Sequence, residues 1–122
     1  MSDSTHTLHG VRVLECAADG PLFRNERDAV DIVGSALSAR ANLVVIPVAR
    51  LAEGFFSLKT RIAGEMMQKF VNYEIRVAIV GDITRHVAAS DALRNFVRET
   101  NRGKQVWFVA DKAELDSRLA PS

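Results

Sequence analysis

Two periods of apolar residues alternate along this chain, and together they predict a layered order of strands and helices. Residues 6–8 and 11–16 are short, partly β-branched runs on either side of His9-Gly10, the pattern of a hairpin closed by a two-residue turn. Asn25 with Asp28 three residues on reads as a helix start, and Ala29, Val30, Val33, Ala36 and Leu37 recur on one face to about Arg40. Residues 43–48 are apolar throughout rather than alternating, which predicts a strand covered on both faces. Pro47 donates no ladder hydrogen bond, so it belongs at a strand end, an edge or a bulge.

A second helix is predicted from near Phe55 to Asn72, buried along Leu58, Ile62, Ala63, Met66, Met67 and Phe70 and polar along Lys59, Arg61, Glu65, Gln68 and Lys69. Residues 75–80 repeat the covered-strand pattern and stop at Gly81-Asp82. Residues 91–100 read as a third helix through Leu93, Phe96 and Val97, stopped by Asn101-Arg102-Gly103. Residues 105–109 supply a last strand, and Asp111 caps a short final helix bearing Leu115 and Leu119. The order β-β-α-β-α-β-α-β-α is that of an α/β fold, a single-layer mixed sheet with helices packed on it. Right-handed crossovers join its parallel strands, and the hairpin adds an antiparallel edge. No Pro/Gly/Ser-rich stretch, charge block or repeat divides the sequence, so residues 1–122 are expected to form one domain, frayed at 1–5 and 121–122.

Composition narrows the function. Sixteen Lys and Arg against fifteen Asp and Glu leave a formal charge of +1, which provides no field to collect nucleic acid or an anionic membrane. The longest apolar runs are far shorter than the roughly 20 residues of a membrane span. One cysteine, Cys16, forms no internal disulfide, and the first residues lack the basic and apolar parts of a secretory signal, so a cytoplasmic location is expected. Neither G-x-G-x-x-G nor a P-loop follows any strand, and C-x-x-C does not occur. Val48-Ala49-Arg50 stands where a phosphoaspartate receiver would need an acid. His6, His9 and His86 have no metal-ligand spacing, so no metal and no cofactor is expected.

The segments Phe55-Phe56-Ser57-Leu58-Lys59-Thr60, Ala63-Gly64-Glu65, Gln68-Lys69-Phe70, Asn72-Tyr73, Val80-Gly81-Asp82 and Leu93 to Gly103 resemble a small bacterial family, domain-of-unknown-function family 4180. The likeness runs from about Leu8 to Leu119 and carries no assigned activity. In element order the chain is also similar to the STAS domain, the fold of anti-sigma-factor antagonists, in which a helix after the third strand carries a phosphorylated serine and docks on a partner. That second likeness is topological and implies a docking surface near Ser57 and Thr60. It does not carry over the phosphorylation, because the Asp-Ser-Ser-Gly type of sequence is missing.

The candidate partner- or ligand-binding residues are Phe55, Phe56, Ser57, Lys59, Thr60, Asp82 and Thr84. Phe55-Phe56 at a helix start is either a hydrophobic anchor or packing. Lys59 and Arg61 in a first helical turn oppose the helix dipole and suggest an anion site, against the plainer reading of a solvated face. Glu65 and Lys69 are spaced as an i,i+4 pair, and Gly64 within a helix suggests a close approach of another backbone. Asp82 follows a strand's carboxyl end, where ligands of open α/β sheets gather, with Thr84, Arg85 and His86 on the same loop. A Ser90-His86-Asp82 relay has no identifiable oxyanion site, so no catalytic residue is assigned. The reading is a non-catalytic STAS-like regulatory or protein-interaction domain with a protein partner. The alternative is a small-molecule or anion-binding protein, conceivably an enzyme, using Lys59, Thr60 and Asp82. A second copy of the chain is a further candidate partner, through the hairpin edge or the second helix.

Overall fold

The computed structural model describes residues 3–121 and contains a five-stranded mixed sheet with five α-helices. In chain order the elements are β1 (Ser4–Leu8), β2 (Val11–Glu15), α1 (Glu26–Ala39), β3 (Leu43–Pro47), α2 (Ile62–Asn72), β4 (Arg76–Val80), α3 (Thr84–Ala89), α4 (Asp91–Arg102), β5 (Val106–Val109) and α5 (Lys112–Leu119). The strands lie side by side in sequence order, β1 antiparallel to β2 and all others parallel. Crossovers of one hand that always step in one direction put their helices on one face of the sheet. Accordingly Val44, Ile46, Val77, Ile79 and Phe108 form one core with Ala29, Ile32, Val33 and Ala36 of α1, Met66 and Phe70 of α2 and Leu93 of α4. Val13, Leu43, Val45, Ala78, Trp107 and Val109 form a second core with Leu115 of α5 on the opposite face. The continuous apolar strands are therefore apolar because both faces are covered. Pro47 stands at the last position of β3, where the missing N–H costs least.

Local chemistry sets the helix ends. Asn25 accepts from Arg27 and Asp28 N–H, Ser90 from Leu93 N–H and Asp111 from Glu114 N–H. Two expectations about α1 and the terminus change. The buried stripe of α1 is Ala29, Ile32, Val33 and Ala36, whereas Val30 and Leu37 are 43% and 51% exposed, one position round the helix from that stripe. Ser4 and Thr5, expected to fray, pair with Glu15 and Leu14 in β1; the expected fraying at Met1, Ser2 and Ser122 lies outside the described residues.

Two side chains show how strand ends are tied together. Arg50 is buried, donating from Nε to Pro21 O at 2.5 Å and from Nη1 to Ala17 O at 2.6 Å while lying 4.9 Å over the Phe23 ring, so it fixes the loop after β2. A Cβ at Gly20 would sit 2.5 Å from that guanidinium, so a larger residue there would displace the Arg50 side chain. Cys16 extends the β2 ladder by donating to Val45 O at 2.9 Å, and burial, reinforced by Asp3 and Glu15 and opposed by Arg50, pushes its thiol up to about 12. It is a core residue that stays protonated and inert at neutral pH.

Candidate functional site

The segment between β3 and α2 carries most of the sequence candidates, and it is not the start of the helix. Residues 53–60 form two short 3₁₀ turns, Glu53–Phe56 and Leu58–Thr60, and α2 begins only at Ile62. Thr60 explains the difference: its hydroxyl lies 2.7 Å from Gly54 O and 2.8 Å from Ser57 O, and accepts from Ile62 N–H at 3.2 Å. Such local bonds offer the backbone an alternative to the helical ladder. Arg61 then takes a left-handed φ of 63°, which separates the turns from the helix. Lys59 and Arg61 therefore do not oppose a helix dipole from within its first turn; the charged residue in that turn is Glu65. Nor does Glu65 pair with Lys69, whose ammonium sits 3.7 Å from Glu26 of α1. Gly64 is not a close-approach glycine either, since nothing lies within 4 Å of the position its Cβ would take.

The second group of candidates follows β4. Gly81 has φ +146°, and a Cβ there would meet Val48 at 2.8 Å, so only glycine carries the chain past the end of β3. Asp82 then accepts from Thr84 N–H at 2.9 Å and starts α3, a short helix where a loop was expected. Hydrogen bonds from the Thr84 side chain and backbone hold the exposed Asp82 carboxyl below its usual range. A lowered folded-state value stabilises above the unfolded carboxylate pKa and is lost as pH falls through the folded one. Asp82→Ala is accordingly expected to lower urea stability at neutral pH, with the gap to wild type closing in acid as pH falls below the ordinary carboxylate range and through the lowered folded-state value. A gap that persists in acid would mean that the Asp82–Thr84 turn bond does not carry the effect.

These two segments meet. The Phe56 ring stacks on the His86 ring of α3 with centroids 3.9 Å apart and planes 8° from parallel. Phe56 also contacts Phe55 edge-on at 5.3 Å, and Phe55 continues to Phe108 of β5 at 6.5 Å. Helix α3 is thereby pinned as a rib between two depressions. One, of about 460 Å³, is lined by Ser57 and Lys59 of the 53–60 turns and by Arg85 and Ala89 of α3, with the Phe56–His86 stack joining the two segments. The second, of about 330 Å³, lies between the Asp82–Thr84 turn, α4 and the end of β5.

The expected residues thus sort into four places. Phe55, 1% exposed, is core and presents no surface; Phe56, 8% exposed, is a groove wall rather than a projecting anchor. Ser57 and Lys59 are exposed in the first groove. The Thr60 hydroxyl is consumed by its own turn. Asp82 and Thr84 line the second cleft, on the far side of α3. Sequence reasoning missed Arg94 and Arg98 as site residues, although their i,i+4 spacing on a predicted helix puts both on one side. Ser90, His86 and Asp82 each have other local roles, as the cap of α4, a stacking partner and the acceptor of the turn that leads into α3, and no hydrogen bond links them among the described residues. Among the described residues no three His, Cys, Asp or Glu side chains gather as metal ligands, and no helix is long and apolar enough to cross a membrane.

Residues 8–119, which include every element from the end of β1 to α5, match the family described as Domain of unknown function (DUF4180). The chain belongs to this family. Neither the curated proteins nor the solved structures give a significant match. Both depressions of this DUF4180 chain lie within the matched span; the motif segment around Phe55–Thr60 lines the first and that around Val80–Asp82 lines the second.

Proposed function

We propose that the chain is a non-catalytic regulatory domain that receives an acidic segment of a protein partner in the groove between residues 56–59 and α3. One observation carries this reading: the Phe56–His86 stack ties a loop to a helix, and Lys59 and Arg85, one from each segment, are exposed in the same groove. Neither cation is in an ion pair among the described residues, so both remain available. Glu53 at one end of the groove gives a partner's orientation a penalty if its charge is reversed. The STAS-like element order read from the sequence supports a docking role for this region. The burial of Phe55 and Phe56 shifts the reading from an aromatic anchor inserted into a partner to a rigid cationic groove that accepts one.

The test is affinity capture from the native cell with wild type and with Lys59→Glu/Arg85→Glu. Both positions are exposed, so the variant should melt within a few degrees of wild type. It is expected to lose a captured protein at least tenfold, with the loss mimicked by raising salt. Equal capture by the two proteins would defeat the proposal.

A further inference from the structure

The cleft on the other side of α3 has a different chemistry. Its floor is apolar, made by Ile83, Val87, Val97 and Phe108. Phe108 is held on both sides: its ring lies 6.2 Å edge-on to Phe96, while Asn101 accepts from its N–H at 2.7 Å and donates to its carbonyl at 3.2 Å. The Asn101 side chain thus occupies the hydrogen-bonding edge of β5 at this residue and keeps the floor in place. Arg94 and Arg98, one turn apart on α4, stand on the rim. Arg94 is already held by Asp91 at 2.7 Å. Arg98 is exposed and in no ion pair among the described residues. Asp82 faces the same space from the opposite side, its carboxylate occupied by Thr84.

We infer that this cleft binds a small monocarboxylate with an apolar body, the carboxylate on Arg98 and the body on the Val87–Val97–Phe108 floor. Three features select that class. A guanidinium presents two parallel N–H donors that match a carboxylate fork. Only one such group is uncommitted, which suits a single negative charge, whereas the second charge of a phosphate monoester would be repelled by Asp82. The volume of about 330 Å³ is at the small end for ligand sites and, at roughly 30 Å³ per heavy-atom-sized group, takes on the order of ten non-hydrogen atoms. The position beside the carboxyl ends of β4 and β5 is where α/β sheets place ligands. None of these residues belongs to the docking groove, so the inference stands apart from the proposed function.

Octanoate is the probe, with octanol, acetate and inorganic phosphate as comparisons, followed by titration calorimetry and thermal shift on wild type and Arg98→Ala. Octanoate is expected to bind one per chain and raise Tm, with at least tenfold weaker binding in Arg98→Ala. Acetate and octanol should each bind at least tenfold more weakly than octanoate, and phosphate should not displace it. Arg98 is exposed, so Arg98→Ala should keep the wild-type circular dichroism and Tm without ligand. Absence of saturable binding, unchanged affinity in Arg98→Ala, octanol equalling octanoate, or displacement by phosphate would each overturn the inference. Loss of octanoate binding in Lys59→Glu/Arg85→Glu with retention in Arg98→Ala would likewise overturn it, by moving the site to the other groove.

Discussion

Met66→Asp is expected to lower stability by more than about 4 kcal/mol, enough to unfold much of a marginally stable chain. Met66 is among the largest fully buried side chains, in the core that α1, α2 and α4 share with the sheet. A carboxylate there has neither water nor a partner, so it must take up a proton or pull α2 away from the strands. Met66→Leu keeps the volume and should cost less than about 1.5 kcal/mol, which separates the effect of charge from that of shape. Urea denaturation followed by circular dichroism measures both. An unchanged midpoint for the aspartate variant would mean that the buried face of α2 is wrongly identified, and with it the anchoring of the 53–60 turns.

Gly81→Ala should cost about 2–6 kcal/mol, through two additive causes. A side chain at φ +146° carries strain of roughly 1–3 kcal/mol, and the new Cβ would press on Val48 at 2.8 Å, an overpacking worth a further ~1–3 kcal/mol. Gly64→Ala is the control, because its Cβ meets open space in the first turn of α2; there alanine should stabilise by up to about 1 kcal/mol. The two glycines lie in motif segments of the same family resemblance, yet opposite signs are expected. Equal effects in chemical denaturation would show that the turn between β4 and α3 is not fixed as described. Since that turn sets where Asp82 and α3 lie, Gly81→Ala should also weaken binding at both depressions.

The sheet was legible because burial on two faces leaves an unmistakable mark: residues 43–46 and 77–79 have no polar position to alternate with. The caps at Asn25 and Asp111 follow from side-chain oxygens placed before apolar periodic runs. The rim of the sheet was harder. Leu58, Ile62 and Met66 keep a helical spacing through Ser57 and Thr60, so periodicity alone extends α2 seven residues too far; the Thr60 hydroxyl bonds that stop it are invisible to a pattern of apolar positions. Helix α3 is too short to show a period, and the Asp82–Thr84 turn that leads into it is a side-chain contact that no apolar pattern records. The juxtaposition of Lys59 with the loop after β4 was legible in outline, since both leave neighbouring strands at their carboxyl ends. The separation of Asp82 from Lys59 by α3, and the pairing of Arg98 with an apolar floor, required the tertiary path of α4.

The most direct measurement of the docking account places a photo-crosslinking amino acid at Ser57 and, separately, at Ala89, one on each wall of the cationic groove, with Ser38 of α1 as a distant exposed control. If the groove holds a partner's acidic segment, both walls should crosslink to the same protein, Ser38 should not, and Lys59→Glu/Arg85→Glu should abolish both adducts. No adduct from either wall, or adducts with unrelated proteins on the two walls, would contradict it.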